Sequence, residues 1–377
     1  MAQNKPRVAI VYDWLTTMGG AEPVALELHK LFPDAPIFTS VYDKANLPQF
    51  AGLDVRTTYL QKILPRSVRY KHVLWPVLRS FAFPALDLSY YDVIISSASA
   101  EAKSVRKKPG AIHICYCHTP TRYYWSHYQE FKNEFRFGVL TWLIRPLIPL
   151  FVAWMRRHDL ASVEGVDYFI ANSATTKSRI KKYYQRDAIV IHPPVDTKRF
   201  LAVGNQEARA GCIVWGRHVP YKRFDLAIET CNKLGLKLTI AGTGPDTERL
   251  KKLAGPTVLF VGRVSDAELN RLAHQAKYFL FPNEEDFGIA AVEALAAGLA
   301  VIAYKKGGAL DIVEDGQTGV FFNEQTTESM ATALKKAESI EFSGNLLRQR
   351  AKRFDQALFR NKMKKVVSDY FLGARNS

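Results

Sequence analysis

Apolar positions along this chain fall into short uninterrupted runs, separated by stretches in which apolar residues recur at helical spacing. Runs such as Val93–Ala98 and Ala300–Tyr304 are typical of parallel strands that are buried on both faces. In the first half of the chain the predicted strands are residues 7–12, 37–42, 93–98, 111–118, 168–173 and 188–191. In the second half they are residues 212–215, 236–241, 258–261, 278–281, 300–304 and 319–322.

The alternation of strands and helices predicts an α/β fold. Strands joined by helices form βαβ units, which make parallel sheets with right-handed crossovers. Two nucleotide-fold-like halves follow each other, and Pro193-Pro-Val-Asp196 between them predicts a linker. Residues 346–372 are predicted to be helical and basic. We expect a first domain over residues 1–194, a second over 195–355, and a C-terminal helix over 356–377 that returns to the first domain.

The chain has 52 Lys and Arg against 36 Asp and Glu, which gives a formal net charge of +16. This excess indicates an anionic partner. Nucleic acid is the weaker option, because no helix-turn-helix, zinc-finger or RNA-stacking motif is present. The basic residues instead mix with bulky apolar ones between Tyr59 and Pro84, where no acid occurs. Such a segment is typical of a surface on anionic lipid, although an amphipathic helix with a solvated basic face has the same composition.

A second apolar segment, residues 137–154, approaches the length of a transmembrane helix. Arg145, Pro146 and Pro149 interrupt it, and Arg156-Arg157 closes it. We therefore predict a buried or interfacial helical segment there.

The cysteines and the N-terminus indicate a reducing compartment. Cys115 and Cys117 lie two apart on one face of a predicted strand, so they are interpreted as packing residues. The first residues show no secretory signal. We expect a cytoplasmic protein, peripheral on the inner face of the cytoplasmic membrane.

The stretch Phe281–Gly298 combines a strand end, an acidic turn and an Ala-rich helix with Gly298 as its C-terminal cap. The turn contains Glu284, Glu285 and Asp286. A turn at the positive end of a helix exposes backbone N–H groups and readily binds phosphate. Taken alone, each of these acids could also be present only because a negative charge at the N-terminus of a helix is stabilised by the helix dipole, without any role in binding.

The whole stretch resembles the Glu-x7-Glu signature of retaining glycosyltransferases of family 4, which have the GT-B fold. The matching residues are Glu285, Phe287, Gly288, Ile289, Glu293, Ala294 and Gly298. The resemblance implies that Glu285 contacts the donor sugar and Glu293 the donor ribose. It also implies two Rossmann-like domains that face each other across a cleft.

Two motifs of the first half extend the resemblance. Gly19 and Gly20 follow the first strand, and in the family this glycine backbone faces the donor phosphates. His118 begins a His-Thr-Pro run at the end of a predicted strand. A lone His is more often structural, but the resemblance makes His118 an acceptor-side catalytic residue.

The second half contains the remaining donor motifs. Gly216-Arg217 and Lys222 resemble the pair that neutralises the leaving diphosphate, a role that suits a guanidinium fork and an ammonium. Gly242 follows the next strand and shapes the floor of the cleft. Val264 and Asp266 resemble the segment that receives the base, where Asp266 would accept from guanine N–H groups. A Gly307-Gly308 turn is also typical of the family, but Asp311 stands where an acid one methylene longer is usual.

The resemblance implies a retaining hexosyltransferase, most similar to bacterial mannosyltransferases that use GDP-mannose. The expected partners are a nucleotide sugar, a lipid-linked or glycan acceptor, and an anionic membrane surface. We expect no cofactor and no metal site, since no Asp-x-Asp motif follows a strand. Two alternatives remain open: a GT-B sugar-nucleotide epimerase, and a non-catalytic membrane-binding or nucleic-acid-binding protein of the same fold.

Overall fold

The computed structural model describes residues 5–71, 75–126, 128, 145–200 and 209–376. The chain folds into two compact units, one of Met1–His192 with Arg360–Ser377 and the other of Pro193–Phe359.

The first unit is built on a parallel sheet that, in the described part of the chain, has seven strands in the order β3-β2-β1-β4-β5-β6-β7. The order reverses beside β1, which pairs with both β2 and β4. The strands are β1 (Val8–Tyr12), β2 (Ile37–Thr39), β3 (Val55–Thr57), β4 (Val93–Ala98), β5 (Ile112–Cys117), β6 (Tyr168–Ala171) and β7 (Ala188–Val190). The central strands β1, β4 and β5 are buried throughout, which explains their uninterrupted apolar sequence.

Helices cover this sheet between its strands. They are α1 (Glu22–Leu31), α2 (Leu60–Ile63), α3 (Arg66–Arg69), α4 (Pro76–Ala82), α5 (Ile148–Glu164) and α6 (Ala174–Tyr184). Proline stands in the first turn of α1, α4 and α5, where its missing N–H costs no hydrogen bond. Ser173 caps α6 by accepting from the N–H of Thr176.

The second unit repeats the design with a parallel sheet of six strands among the residues described, in the order β10-β9-β8-β11-β12-β13. The strands are β8 (Cys212–Trp215), β9 (Leu238–Ala241), β10 (Val258–Gly262), β11 (Tyr278–Phe281), β12 (Ala300–Tyr304) and β13 (Gly319–Phe322). The order reverses between β8 and β11, the place where open α/β sheets form their binding crevices.

The helices of the second unit follow its strands. They are α7 (Phe224–Leu234), α8 (Thr247–Leu253), α9 (Asp266–Gln275), α10 (Ile289–Ala296), α11 (Ala309–Ile312), α12 (Thr327–Glu338) and α13 (Gly344–Lys352). The last helix, α14 (Gln356–Asn376), starts in this unit and continues in the first. There Arg360 pairs with Glu27, and the rings of Tyr370 and Tyr168 stack with centroids 3.7 Å apart.

The prediction of an α/β fold with two parallel sheets is confirmed, but some elements differ. Strand β3 was not predicted, because it has only three residues and none of them is buried: Arg56 is exposed, and Val55 and Thr57 are half-buried. The basic tail is not one helix over residues 346–372: it breaks between Lys352 and Gln356.

The two apolar and basic segments also differ from expectation. Residues 137–144 and 72–74 lie outside the described part of the chain. Helix α5 does not end at Arg156-Arg157 but continues to Glu164, and the segment between Tyr59 and Pro84 forms the short helices α2, α3 and α4. Within the described ranges, no helix combines the length and the apolar character that a membrane span needs.

Candidate active site

In the second unit the predicted donor residues follow the ends of neighbouring strands. Gly216 directly follows β8, Gly242 directly follows β9, and Val264 comes shortly after β10. Glu285 comes four residues after β11 ends. Because parallel strands present their carboxyl ends at the same edge, these residues share one edge of the sheet.

The turns after β8 and β9 are in backbone contact. Gly216 has a φ of +142° and Gly242 a φ of +117°, conformations that favour glycine. A Cβ atom at Gly242 would lie 2.0 Å from the carbonyl oxygen of Gly216. Glycine at 242 is therefore required for the two turns to meet.

Lys222 and Glu285 form an ion pair. Lys222 ends a short 3-10 turn, Pro220–Lys222, and its Nζ donates to Oε1 of Glu285. Asn283 donates from Nδ2 to the same oxygen over 2.9 Å. Each charged side chain is 16% exposed. The structure thus brings together the cation predicted to bind phosphate and the carboxylate predicted to bind the sugar.

Arg217 is exposed on a fixed backbone. The following residue, His218, is fully buried, and its Nδ1 lies 2.9 Å from Oγ1 of Thr247. Because His218 is anchored, the neighbouring Arg217 projects into solvent from a fixed position, and its guanidinium is available to bind an anion.

The loop that carries Glu285 rests on the Gly307-Gly308 turn after β12. The N–H of Gly308 donates to the carbonyl of Glu285 over 2.8 Å. Cβ atoms at Gly307 and Gly308 would lie 2.3 Å from the carbonyl oxygen of Glu285 and 2.1 Å from that of Phe287. Asp311, three residues after Gly308, accepts a hydrogen bond through its backbone carbonyl from the Arg350 guanidinium over 2.6 Å.

Phe287, Gly288 and Ile289 shape the start of α10. The ring of Phe287 is buried against the ring of Phe354, and their centroids are 5.5 Å apart. The predicted contact of Phe287 with the donor would therefore be made by its backbone. Gly288 has a φ of +109°, and a Cβ there would lie 2.6 Å from the ring of Phe281. Ile289, the first helical residue, packs partly on the core.

Glu293 lies on α10 with its carboxylate largely shielded from solvent. Its Oε2 accepts from Nε1 of Trp215 over 3.0 Å, and Arg199 approaches its Oε1 to 3.6 Å. Burial raises the pKa of Glu293, while the Trp215 hydrogen bond and the Arg199 charge act in the opposite direction.

Asp266, predicted to accept from guanine N–H groups, pairs with a cation of its own unit. The carboxylate forms an ion pair with Arg199 over 2.6 Å, and its side chain is 74% exposed. Val264 nearby is partly buried against the hydrophobic core, so its backbone is the part available to a ligand. Arg199 therefore connects Asp266 with Glu293.

Gly19, Gly20 and His118 lie in the first unit. Both glycines are exposed, and the N–H of Gly19 donates to Oε2 of Glu22 over 2.8 Å. His118 is 8% exposed at the end of β5, and its Nε2 lies 2.8 Å from Oγ of Ser97. The ring is therefore held by the strand next to its own.

The loop after His118 is anchored to a buried carboxylate. Asp159 on α5 accepts from Thr121 over 3.1 Å and from the Trp125 indole over 2.7 Å. It is paired with Lys103 over 2.6 Å, and both charged side chains are less than 5% exposed. Much of the His-Thr-Pro-Thr-Arg-Tyr-Tyr-Trp string thus positions a loop, and its inward side chains bind protein.

In the second unit the arrangement can bind a polyanion at one sheet edge. Arg217 and Lys222 supply positive charge beside glycine turns, while Glu285 and Glu293 supply acceptors for hydroxyl groups. Within the described part of the chain, no group of three or more His, Cys, Asp or Glu side chains is arranged to hold a metal ion.

Comparison with protein families gives two matches that together cover most of the chain. The family described as Glycosyltransferase Family 4 matches residues 18–199. The family described as Glycosyl transferases group 1 matches residues 199–356. The chain belongs to glycosyltransferase family 4. It has the two-domain GT-B fold of that family, as the resemblance implied.

Curated relatives of this family 4 chain differ in what they act on. The sulfoquinovosyl transferase of Arabidopsis thaliana is 26% identical over 62% of the chain and 48% of that relative. The GDP-mannose-dependent alpha-(1-6)-phosphatidylinositol monomannoside mannosyltransferase of Mycobacterium tuberculosis is 29% identical over 45% of the chain and 52% of that relative. The aligned part spans about half the length of these relatives.

Solved structures of the same fold match nearly the full length of the family 4 chain. Anabaena Alr3699/HepE in complex with UDP superposes with a TM-score of 0.70 at 17% identity, covering 96% of this chain and 100% of that one. Sucrose-phosphate synthase from Thermosynechococcus elongatus superposes with a TM-score of 0.73 at 17% identity, covering 98% and 100%. At these identities the likeness concerns the fold.

Trp215, Arg199 and Asn283 belong to the site but were not predicted from sequence. Trp215 directly precedes Gly216-Arg217, and its indole at a strand end was a usable signal. Arg199 follows the linker and carries no motif of its own, so only the fold brings it to Asp266 and Glu293.

Proposed function

We propose that this chain is a retaining hexosyltransferase that moves a sugar, most specifically mannose from GDP-mannose, to a lipid-linked or glycan acceptor. The observation that carries the proposal is the shared sheet edge of Arg217, Lys222, Glu285 and Glu293. Two cations suit a diphosphate leaving group, and two carboxylates suit sugar and ribose hydroxyls.

Retention follows from departure of the diphosphate and attack of the acceptor hydroxyl on the same face of the sugar, with the hydroxyl proton passing to the departing phosphate oxygen. Arg217 and Lys222 would stabilise the negative charge that develops on the departing phosphate. Glu285 would hold the sugar hydroxyls, and the catalytic role of His118 lies on the acceptor side. The contribution of the protein is electrostatic and positional, as expected where binding fixes the reacting groups.

The choice of GDP-mannose is supported by one group of relatives and opposed by none of the contacts described. The mycobacterial relative is described as GDP-mannose-dependent, whereas the HepE structures hold UDP or UDP-glucose. A panel of sugar nucleotides with mass spectrometry of lipid products tests the proposal. Faster turnover of UDP-glucose would overturn the mannose assignment, and turnover without an acceptor would favour an epimerase.

We further propose that transfer needs no metal ion. The side chains of Arg217 and Lys222 would neutralise the diphosphate. In other phosphate sites a divalent cation neutralises this charge. Treatment with EDTA should leave the transfer rate unchanged. Complete loss of activity that Mn²⁺ or Mg²⁺ restores would contradict this proposal.

An anionic membrane is the proposed location of transfer, in cell-envelope polysaccharide or glycolipid synthesis on the cytoplasmic face. The support is the basic segment that contains α2 and α3. Lys62, Arg66 and Lys71 are exposed there, beside Ile63, which is 61% exposed. Cations flanking an exposed apolar side chain suit headgroups and the outer acyl region.

A further inference from the structure

Arg199 lies between two carboxylates of the candidate donor site. Its Nη2 lies 2.6 Å from Oδ1 of Asp266, and its Nη1 lies 3.6 Å from Oε1 of Glu293. The three side chains come from different elements of the second unit, namely the 3-10 helix Thr197–Phe200, the start of α9 and the middle of α10. One planar guanidinium therefore links the acid predicted to accept from the base with the acid predicted to accept from the ribose.

The segment that carries Arg199 is anchored. Its backbone N–H donates to Oδ1 of Asp196 over 3.3 Å. The next residue, Phe200, is fully buried, and its ring stacks on that of Trp215 with centroids 6.0 Å apart. The Arg199 guanidinium lies 5.1 Å from the centre of the Phe200 ring. The cation is therefore attached to the hydrophobic core at the end of β8, where its position is well defined.

Asp266 needs such a partner in order to recognise a base. Its side chain is 74% exposed and belongs to the first residue of α9. An exposed side chain is free to rotate, so a ligand that binds it must also order it, at a cost in conformational entropy. The ion pair with Arg199 orders the carboxylate in advance. A carboxylate has about four lone-pair positions, so pairing through Oδ1 leaves Oδ2 able to accept from a ligand.

Glu293 is held on both of its oxygens without being saturated. Oε2 accepts from Nε1 of Trp215 over 3.0 Å. Oε1 lies 3.6 Å from Arg199, which is longer than the usual hydrogen bond of about 2.9 Å, so this contact is an ion pair without a hydrogen bond. Oε1 can therefore accept from a ribose hydroxyl while the cation stays in place.

A role in stability alone does not account for the Arg199–Asp266 pair. Exposed ion pairs contribute little to stability, and α9 has another between Arg271 and Glu268 over 2.6 Å. The Arg199–Asp266 pair differs because it joins two elements and lies beside Glu293, at the edge where open α/β sheets bind ligands. Its position thus favours a role in binding.

We propose that Arg199 determines the base specificity of the donor site by holding Asp266 in place to accept from the N–H groups of guanine. The inference rests on the proposed function in one respect, namely that the donor carries a guanosine diphosphate. Guanine presents two neighbouring donors, N1–H and the 2-amino group. Uracil presents one N–H between two carbonyls, which a fixed carboxylate repels. Arg199 is a positioning residue in this arrangement, because it acts on the base through Asp266.

Calorimetric titration with GDP and inosine diphosphate measures recognition of the base. Hypoxanthine lacks the 2-amino group of guanine, and the ribose and diphosphate are the same in both nucleotides. The ratio of the two affinities therefore cancels any effect on the ribose or phosphate contacts. The wild type should prefer GDP by about tenfold or more, the scale of losing one hydrogen bond to a charged group. Equal affinity of the wild type for both nucleotides would overturn the proposal.

Arg199→Gln should reduce the preference for GDP to about twofold or less, because Asp266 is no longer held in place before binding. Arg199→Lys keeps a cation for Asp266 and should retain a preference of about fivefold or more. Arg271→Gln removes the other ion pair of α9 and should keep the wild-type ratio. A wild-type ratio in folded Arg199→Gln would contradict the proposal. A lysine variant with the ratio of the glutamine variant would also contradict it, because the charge would then not be what positions Asp266.

Asp266→Asn shows whether Arg199 acts through Asp266. This variant should also reduce the preference for GDP to about twofold or less, and the double variant with Arg199→Gln should have the same ratio, because the two residues act as one unit. A further fall in the double variant would mean that Arg199 contacts the base independently, which would overturn the positioning role. Asp266 is exposed, so its variant provides a test even if Arg199→Gln does not fold. A wild-type ratio in Asp266→Asn would show that Asp266 does not recognise the base.

Titration with UDP distinguishes failure of this proposal from failure of the proposed function. If the wild type binds UDP more tightly than GDP and transfers sugar from a UDP sugar, the donor in the proposed function is wrong, and the base contact of Asp266 is wrong with it. If the wild type prefers GDP to UDP and Arg199→Gln keeps the wild-type ratio of GDP to inosine diphosphate affinity, the role of Arg199 is wrong although the proposed donor stands.

Discussion

The indole Nε1 of Trp215 donates a hydrogen bond to Oε2 of Glu293 over 3.0 Å, joining the end of β8 to the first helix after β11. Burial disfavours the charged form of Glu293 and raises its pKa, and the indole compensates in part. The hydrogen bond thus both orients the carboxylate and favours its ionised form. A carboxylate held in this way is ready to accept from the hydroxyls of a ribose.

Trp215→Phe should weaken GDP binding about tenfold while the protein stays folded. Phenylalanine keeps the ring contacts to Phe200 and Phe279, whose centroids lie 6.0 Å and 4.3 Å away, but removes the donor. A hydrogen bond to a charged group contributes about 1.5 kcal/mol or more. Calorimetric titration with GDP measures the loss, and Trp154→Phe in the first unit is the control. Unchanged affinity in Trp215→Phe would show that the indole does not support the ribose acceptor.

Glu285→Gln and Glu293→Gln should affect different steps. Glu285→Gln should lower transfer by about tenfold or more, because charge-assisted hydrogen bonds to the sugar are lost, each worth roughly 1.5–3 kcal/mol. It should leave GDP affinity within threefold, whereas Glu293→Gln should weaken GDP itself. Glu284→Gln is the matched control for an acid in the same loop. If Glu285→Gln loses GDP affinity as much as Glu293→Gln does, the sugar and ribose assignments are wrong.

Arg217→Ala and Lys222→Ala should each lower turnover by roughly 10²-fold or more, the scale of losing an electrostatic donor to a developing anion. Lys222→Ala also removes the cation beside Glu285, so the remaining carboxylate would repel a diphosphate. Thermal unfolding should stay close to wild type for Arg217→Ala, since this side chain is exposed. Arg249→Ala, whose partner is Asp246, is the control. Near-normal turnover in both purified variants would refute the donor-phosphate assignment.

Much of the fold was predictable because the central strands are buried on both faces and appear as continuous apolar runs. The half-exposed β3 has no such run and was missed. Motif residues were placed at the correct strand ends, since a turn directly follows each predicted strand. Their roles remain predictions.

Partners distant in sequence could not be predicted. Trp215 and Glu293 are 78 residues apart, and Lys103 and Asp159 are 56 apart. Which donor meets which carboxylate depends on the strand order β10-β9-β8-β11 and on the packing of α5, neither of which local spacing encodes. The contacts of Thr121, Tyr124 and Trp125 with the buried acids Asp159 and Glu101 could not be predicted for the same reason.

Charge reversal on α2 and α3 should release the protein from anionic vesicles. The suitable residues are Lys62, Arg66 and Lys71, because Arg69 donates to the carbonyl of Leu64 over 3.0 Å and 2.8 Å and supports the turn. Changing the three to Glu should abolish binding to vesicles with anionic lipid and leave GDP affinity unchanged. Salt should weaken wild-type binding, because charges are screened beyond ~8 Å at physiological ionic strength.

The control for this experiment reverses exposed lysines of the second unit, Lys233, Lys251 and Lys252, which lowers the net charge equally. That variant should bind vesicles like wild type. Equal binding of the wild type to neutral and anionic vesicles would remove the electrostatic part of the proposal.

Two buried groups, His113 and Asp13, should change the free energy of unfolding in opposite directions as the pH falls. His113 is fully buried: its Nε2 lies 2.7 Å from Oγ of Ser96, and burial lowers its pKa to about 4. An unfolded His titrates near 6.5, so between about pH 6.5 and 4 the unfolded state binds more protons. The contribution of His113 to stability is therefore complete above pH 6.5 and is lost as the pH falls toward 4.

Asp13 acts in the opposite direction. It accepts from the backbone N–H groups of Ser99, Ala100 and Ala102, over 2.6 Å, 3.0 Å and 2.8 Å, yet burial raises its pKa to about 6. An unfolded Asp titrates near 3.9, so between about pH 6 and 4 the folded state binds more protons. Acidification through this window therefore favours the folded state, and the Asp13 and His113 effects offset each other.

His113→Gln should make this balance visible. Between pH 7 and pH 4.5 the variant should lose about 2 kcal/mol less of its free energy of unfolding than the wild type, because the His113 penalty is gone. Asp13→Asn should lose about 2 kcal/mol more, because the gain from protonating Asp13 is gone. Urea unfolding at both pH values measures these differences, and the other titrating groups are common to all three proteins. A His113→Gln variant with the acid sensitivity of the wild type would mean that His113 is already protonated in the folded protein, and that the neutral ring bonded to Ser96 is the wrong description.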